Sequence, residues 1–230
     1  MACPAAFPLT DYAHKVAAAL ARLSAVLPVA EKLRACSLEA RSLHRRVLRS
    51  FLERGAPPTR AEMAASDSLL RELEGTGLVL FDATGGELSG AYPFTTEQRE
   101  HKIIVSAVEL HAMCALDALA VAPMFKLSTQ VVSKCRATGD LISLNMTGLT
   151  ITAGTADTNA DLTAGVHVGI AWGAASCGVC CADSLCTEMI FLRDAEVARK
   201  WLAVGDQREI FGLSDAVDFA AQFFTPMTAD

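Results

Sequence analysis

The residue types with the clearest chemical potential lie in the stretch His111-Ala-Met-Cys114-Ala-Leu-Asp117-Ala-Leu. A helix over 113–122, ended by Pro123, would place Cys114 in its first turn and Asp117 one turn further along the same side. The partial positive charge at a helix N-terminus favours a thiolate. The apolar neighbours of Asp117 instead favour a carboxyl group that keeps its proton. The spacing therefore indicates a nucleophilic sulfur beside a proton donor.

Cys114 and Asp117 have an alternative interpretation in ordinary structural roles, and spacing alone favours it. Cys114 would be a buried cysteine, and Asp117 a first-turn acid that stabilises the helix dipole.

Cys177 and Cys180 form a C-x-x-C pair, which is half of a structural zinc site. The sequence has no second C-x-x-C or H-x-x-x-H pair, so zinc is disfavoured. A thioredoxin-type motif also fits poorly, because it should follow a strand and open a helix in a βαβ unit. His111 lies at an odd separation from Cys114, which in a strand points it to the other face.

Composition limits the class of protein. The 230 residues are 52% hydrophobic and 20% charged, which is typical of a globular chain. The net charge of −6 argues against general binding to nucleic acid or to an anionic membrane. No secretory signal is evident, and no apolar run approaches the roughly 18 residues of a membrane span. Eight cysteines without a secretory signal indicate a reducing cytosol, so we expect a cytoplasmic protein.

Residues 1–95 are predicted to form an N-terminal module of helices followed by a β-hairpin. The order of helix, short helix, helix and hairpin is typical of a winged helix-turn-helix. The segment that should enter the DNA groove, 67–75, carries Arg71 against Asp67, Glu72 and Glu74. An acidic recognition helix would repel phosphate. We therefore expect this module to cover the second domain, with no DNA binding.

Residues 96–230 are predicted to form a catalytic domain with a mixed or antiparallel sheet flanked by helices, which makes the whole chain α+β. Asp194 should cap one helix and Ser214 a last one, closed by Pro226. Five segments are predicted to be β: 101–108, 131–133, 141–144, 149–152 and 166–171.

Three motifs give the chain a recognisable pattern. They are Cys114-Ala-Leu-Asp117-Ala-Leu, Val131-Val-Ser-Lys-Cys135-Arg-Ala-Thr-Gly139, and Ser184-Leu-Cys186 leading into Ile190-Phe191. Together with the final helices, they resemble the alkylmercury lyases (organomercurial lyases), and the similarity reaches back to about Leu43. Cys177, Cys180 and Cys181 are not part of the family pattern, and Thr187 replaces a residue that is often polar or cysteine.

The resemblance implies that Cys114, Cys186 and Asp117 contact the metal and perform the chemistry, while Cys135 is structural. It implies protonolysis of R–Hg⁺ to R–H and Hg²⁺, without an organic cofactor, in mercury detoxification. A small organomercurial would be the substrate, external thiols would assist release, and a mercuric reductase would accept Hg²⁺. Cys114 and Cys186 are seventy-two positions apart, yet their sulfurs should lie within about 6 Å.

Two other classes stay open at this point. One is a scavenger or metallochaperone that binds a soft metal without cleaving a bond. The other is a thiol-based regulator whose winged helix binds DNA in response to metal. Asp117 distinguishes the lyase from the scavenger, because capture alone needs no proton donor. The acidic segment 67–75 weighs against the regulator.

Overall fold

The computed structural model describes residues 12–153, 165–175 and 180–228. Within these ranges, helices and antiparallel sheets are both present in quantity, so the predicted α+β class is confirmed. No helix in the described ranges is both long and apolar enough to span a membrane.

In the part of the chain described from residue 12 on, five helices precede the first strand: α1 (Tyr12–Val26), α2 (Val29–Ala35), α3 (Leu38–Arg54), α4 (Arg60–Met63) and α5 (Asp67–Thr76). Local capping signals fix the last three, because Ser37, Thr59 and Ser66 each accept a backbone hydrogen bond at a helix N-terminus. α3 buries Leu43, Val47, Leu48 and Phe51, at helical spacing. The hairpin of β1 (Val79–Phe81) and β2 (Leu88–Ala91) follows α5. This is the element order of a winged helix, and the winged-helix role of the module stays a prediction.

The middle of the chain forms a large antiparallel sheet. In the described residues it has eight strands in the order β1-β2-β3-β5-β4-β6-β7-β8. The strands not yet bounded are β3 (Phe94–Thr95), β4 (His101–Val105), β5 (Val108–Ala112), β6 (Ser128–Lys134), β7 (Leu141–Thr147) and β8 (Thr150–Ala153). β3 pairs with β5, so hydrogen bonding continues across the predicted boundary near residue 95. That boundary stays a prediction.

A smaller sheet and three helices complete the described fold. The sheet has the order β10-β9-β11, with β9 (His167–Ala171), β10 (Met189–Leu192) and β11 (Arg208–Gly212). The helices are α6 (Ala115–Phe125), α7 (Ala195–Ala203) and α8 (Leu213–Phe224). α6 is buried over most of its length, and it packs against α8, the large sheet and β10. Its N-terminus therefore lies deep in the fold, where both sheets approach it.

The structure corrects three expectations. Pro123 lies inside α6 and does not end it, since burial of this apolar helix outweighs the missing N–H, and the helix stops at left-handed Lys126. The predicted strand 101–108 is a tight hairpin, because Ser106 and Ala107 have positive φ angles without the usual glycine or asparagine. Ser214 lies within α8, whose cap is Gly212. β11 was not predicted at all.

Candidate active site

Cys114 lies at the junction between β5 and α6. Its backbone is extended, with φ −154° and ψ 178°, so it is the N-cap of α6 and not a residue of the first turn. The Cys114 sulfur accepts a hydrogen bond from the backbone N–H of Asp117 at 3.3 Å. The capping bond fixes the two residues relative to each other, as a serine or threonine cap would. The helical spacing seen in the sequence thus places both side chains at one helix end.

Cys186 approaches this helix end from a distant part of the chain. It lies in the second of two short 3-10 turns, 181–183 and 185–188, that lead into β10. The backbone N–H of Arg136 donates to the Phe191 carbonyl at 3.1 Å, which ties β10 to the turn after β6. Tertiary packing of β10 near α6 therefore delivers Cys186 to the site.

The three predicted residues converge. The sulfurs of Cys114 and Cys186 and a carboxylate oxygen of Asp117 all lie within 4.8 Å of one another. The prediction that the two sulfurs lie within about 6 Å is confirmed. A single metal ion bound by two thiolates requires sulfurs no further apart than about twice a metal–sulfur bond, roughly 4.6 Å for zinc. The bound of 4.8 Å lies close to this limit, so a small side-chain movement at most would let the two sulfurs share one thiophilic metal.

Asp117 is fully buried, and neither carboxylate oxygen has a hydrogen-bond partner within the described structure. Burial raises the pKa of Asp117 to about 7 from its ordinary 3.8, while the neighbouring Cys114 opposes this rise. The predicted effect of apolar surroundings is thereby confirmed. Near neutral pH, a substantial fraction of Asp117 retains a proton that is not engaged elsewhere.

The thiols differ from expectation. Burial raises the pKa of Cys114 to about 12, and the helix terminus does not produce a resting thiolate. The neighbouring Cys114 thiol raises the pKa of Cys186, and burial raises it further. Desolvation of a full charge outweighs the partial charge of a helix end, because no water solvates the anion. Both sulfurs are therefore thiols until a metal replaces their protons.

Three further side chains surround the sulfurs, and of these only Cys181 belongs to a segment that the sequence analysis singled out. The Cys181 sulfur lies 3.6 Å from the Cys186 sulfur. The hydroxyl of buried Tyr92 lies 3.8 Å from the Cys186 sulfur. The Cys114 thiol contacts the thioether of Met189 at 3.6 Å. The site is thus rich in soft sulfur atoms, which suit soft metal cations.

Arg99 connects the two halves of the site. One guanidinium nitrogen donates to the Ala182 carbonyl at 2.6 Å and to the Met113 carbonyl at 3.4 Å. The other pairs with Asp183 at 3.2 Å. Met113 precedes Cys114, and Ala182 lies between Cys181 and Cys186 in the chain. The planar guanidinium therefore holds the segments of the two site cysteines together.

The remaining sequence candidates lie apart from this cluster. Cys135 is buried in the turn after β6, where its carbonyl accepts from Gly139 N–H at 2.8 Å. His111 lies in β5, and its ring nitrogen Nδ1 lies 2.8 Å from the Arg99 carbonyl oxygen. Neither belongs to the metal-ligand cluster found among the described residues. Cys177 lies outside the described residues.

Buried thiols around a carboxyl group of raised pKa have the chemistry that soft-metal binding beside a proton donor requires. A family model described as "MerB: Alkylmercury lyase" matches residues 94–225, and the chain belongs to this family. It is accordingly an organomercurial lyase, which cleaves the carbon–mercury bond of a small organomercurial substrate.

The comparison with solved structures supports the fold. A structure titled "Crystal structure of the mercury-bound form of MerB2" has a TM-score of 0.68 and 18% sequence identity, covering 89% of this chain and 98% of that one. At this identity, the likeness concerns the fold. A comparison with curated protein sequences finds no match.

Proposed function

We propose that Cys114 and Cys186 bind the mercury of R–Hg⁺ and that Asp117 delivers the proton that releases R–H. The observation that carries this proposal is the convergence of the two sulfurs and a carboxylate oxygen within 4.8 Å. Thiolates are the softest ligands that a protein offers, and mercury is a soft cation. A site that only binds mercury would not need a carboxylic acid such as Asp117 beside the thiolates.

Proton transfer accompanies metal binding in this proposal. R–Hg⁺ replaces the proton of the first cysteine thiol, and that proton leaves to solvent. Asp117, ionised in part near its pKa of about 7, takes the proton of the second thiol as its sulfur joins the metal. Two sulfur donors raise the electron density on the attached carbon. Asp117 then protonates this carbon as the carbon–mercury bond breaks, giving R–H and Hg²⁺ bound to two thiolates.

The charges and atoms balance: R–Hg⁺ and two thiols give R–H, a neutral mercury dithiolate and one released proton. Mercury stays divalent throughout, so no oxidant or reductant enters. Apolar surroundings exclude water from the reacting carbon and keep the carboxyl group protonated. Leu116 and Leu119, both fully buried, provide such surroundings along α6.

The reaction as proposed uses no organic cofactor, and external thiols assist removal of Hg²⁺. A mercuric reductase is the partner that we expect to accept the metal, and a reducing cytoplasm is the expected location. We expect no sequence-specific DNA binding, because α5, the segment that would face phosphate, carries Arg71 against three acidic residues, Asp67, Glu72 and Glu74.

Incubation with one equivalent of phenylmercury tests the proposal. Wild type should release one equivalent of benzene and retain the mercury. Cys114→Ser should lose benzene release, because oxygen is a hard ligand and only one of the two thiolates that bind the metal beside Asp117 then remains. Cys36→Ala is the matched control: its sulfur hydrogen-bonds the Lys32 carbonyl at 3.2 Å in the N-terminal helices, and it should behave as wild type. Tight retention without any benzene in wild type would instead identify a scavenger.

A further inference from the structure

Cys181 is a third thiol within reach of the site, and the proposed cleavage does not use it. Its sulfur lies 3.6 Å from the Cys186 sulfur, and both cysteines are free. The Cys181 side chain is nine-tenths buried, with 7% of its residue surface exposed. A metal on Cys186 would therefore be within bonding reach of Cys181 after a small side-chain rotation.

The described cysteines near the site differ in their exposure. Cys114 is 1% exposed, Cys186 4% and Cys181 7%. The neighbouring Cys180 is half-buried and lines an open groove of about 660 Å³, together with Arg99 and Asp183. Cys181 is thus next in the chain to the residue that lines the groove, while its sulfur lies 3.6 Å from that of Cys186. Cys177 lies outside the described residues and takes no part in this inference.

The turn that carries these thiols is held in place. The Ser184 hydroxyl donates to the Cys180 carbonyl at 2.8 Å, and the Asp183 N–H donates to the same carbonyl at 3.0 Å. Arg99 holds Ala182, the next residue after Cys181, at 2.6 Å. The separation of the Cys181 and Cys186 sulfurs is therefore a property of a hydrogen-bonded turn and not of a loose loop.

Product release presents a chemical problem for this site. After cleavage, Hg²⁺ is bound by two thiolates that are almost inaccessible to solvent. Mercury leaves a thiolate when another sulfur takes its place, so a bulky external dithiol must reach the metal. A thiol already in contact with Cys186 solves this problem, because its effective concentration far exceeds that of an external thiol.

We propose that Cys181 is a third mercury ligand, which takes the product metal from Cys114 and presents it on the Cys186–Cys181 pair toward the groove. In this step, the mercury–sulfur bond to Cys114 breaks, a bond to Cys181 forms, and the Cys181 proton passes to the Cys114 sulfur. Mercury remains divalent. The inference rests on the proposed function, which supplies the mercury dithiolate.

The test compares two first-order rate constants in wild type and Cys181→Ser. The first is single-turnover benzene release from phenylmercury with protein in excess. The second is loss of protein-bound mercury to 2,3-dimercaptosuccinate, measured by rapid gel filtration and mercury analysis. An unfolded fraction changes the amplitudes and leaves first-order rate constants unchanged. Cys36→Ala controls for the loss of a thiol elsewhere in the chain.

The ratio of the transfer constant to the cleavage constant should fall in Cys181→Ser. Intramolecular groups act at effective concentrations of about millimolar, so at roughly 0.1 mM dithiol the ratio should fall at least about tenfold. Cys36→Ala should keep the wild-type ratio. An unchanged ratio in Cys181→Ser overturns the exit role while leaving the lyase intact. This holds whether neither rate constant changes or the cleavage constant falls as much as the transfer constant. Failure of the lyase proposal would appear separately, as absence of benzene from wild type.

Discussion

Replacement of Asp117 by asparagine separates carbon–mercury cleavage from mercury capture. Asparagine preserves the size of the side chain and removes its transferable proton. Both carboxylate oxygens of Asp117 lack hydrogen-bond partners in the described structure, so the substitution breaks no hydrogen bond. At pH 6, where most Asp117 side chains carry a proton, a neutral acid is exchanged for a neutral amide. The free energy of unfolding should then change by less than about 1 kcal/mol.

The magnitude of the catalytic loss follows from the role of the proton. General acid catalysis is typically worth about 10² to 10⁴ in rate, or roughly 3 to 5 kcal/mol of barrier. The pKa of Asp117, about 7, is close to the working pH, which is where a general acid is most effective. We therefore expect Asp117→Asn to release benzene at least about a hundredfold more slowly than wild type. Both sulfurs remain, so mercury retention should stay at one equivalent.

The assay is a single turnover with protein in excess over phenylmercury, with benzene measured in the headspace and bound mercury measured after gel filtration. Asp194→Asn is the matched control, because Asp194 also occupies a helix N-terminus, capping α7 through Val197 N–H at 2.8 Å. Asparagine is an equally good cap, so this variant should cleave as wild type does. Cleavage by Asp117→Asn at the wild-type rate would refute the reasoning, since the proton would then come from another group.

Three further predictions concern stability and positioning. Asp117 has a pKa of about 7 in the fold and 3.8 ordinarily. The stabilisation of the fold that its protonation provides is therefore fully present below pH 3.8 and is lost as the pH rises through 7. Between pH 4 and pH 8, urea unfolding should show the free energy of unfolding of wild type falling by up to roughly 4 kcal/mol relative to that of Asp117→Asn. The same pH dependence in both proteins would contradict the assigned pKa. His44 is buried with neither ring nitrogen hydrogen-bonded in the described structure, and burial lowers its pKa to about 4 from 6.5. His44→Leu should therefore raise the free energy of unfolding by about 1 to 3 kcal/mol at pH 7, and by more as the pH falls from 6.5 toward 4, where the unfolded histidine takes up a proton and the buried one does not. Arg99→Lys should slow benzene release by about tenfold to a hundredfold, because an ammonium group lacks the second nitrogen that pairs with Asp183 while the first holds the Ala182 and Met113 carbonyls, and a misplacement of about 1 Å is costly in catalysis. A wild-type rate would exclude a positioning role.

The sequence alone determined the half of the site that depends on local spacing. Cys114 and Asp117 are three residues apart at a helix start, and helical geometry brings side chains at that spacing together in any fold. The capping residues of α3, α4 and α5 likewise act within one turn, so those helices could be predicted. Alternating apolar residues indicated most of the strands. The α+β class follows from these local patterns.

Other features depended on contacts between distant parts of the chain. Cys186 entered the prediction through family resemblance, and its position beside Cys114 depends on the packing of β10 against α6. Tyr92 and Arg99 carry no local signal, because each reaches the site from another element. β11 pairs with β9 across thirty-seven or more positions, and only that pairing makes it a strand.

The charge state of the thiols shows the same division in physical terms. The position of Cys114 at a helix N-terminus is encoded locally and by itself favours a thiolate. How much water surrounds that sulfur is decided by every element packed against it, and in this fold Cys114 is 1% exposed. Desolvation therefore dominates and raises the pKa of Cys114 to about 12. Spacing determines which groups are neighbours along a helix, whereas burial, a property of the whole tertiary structure, determines which of them carry charge.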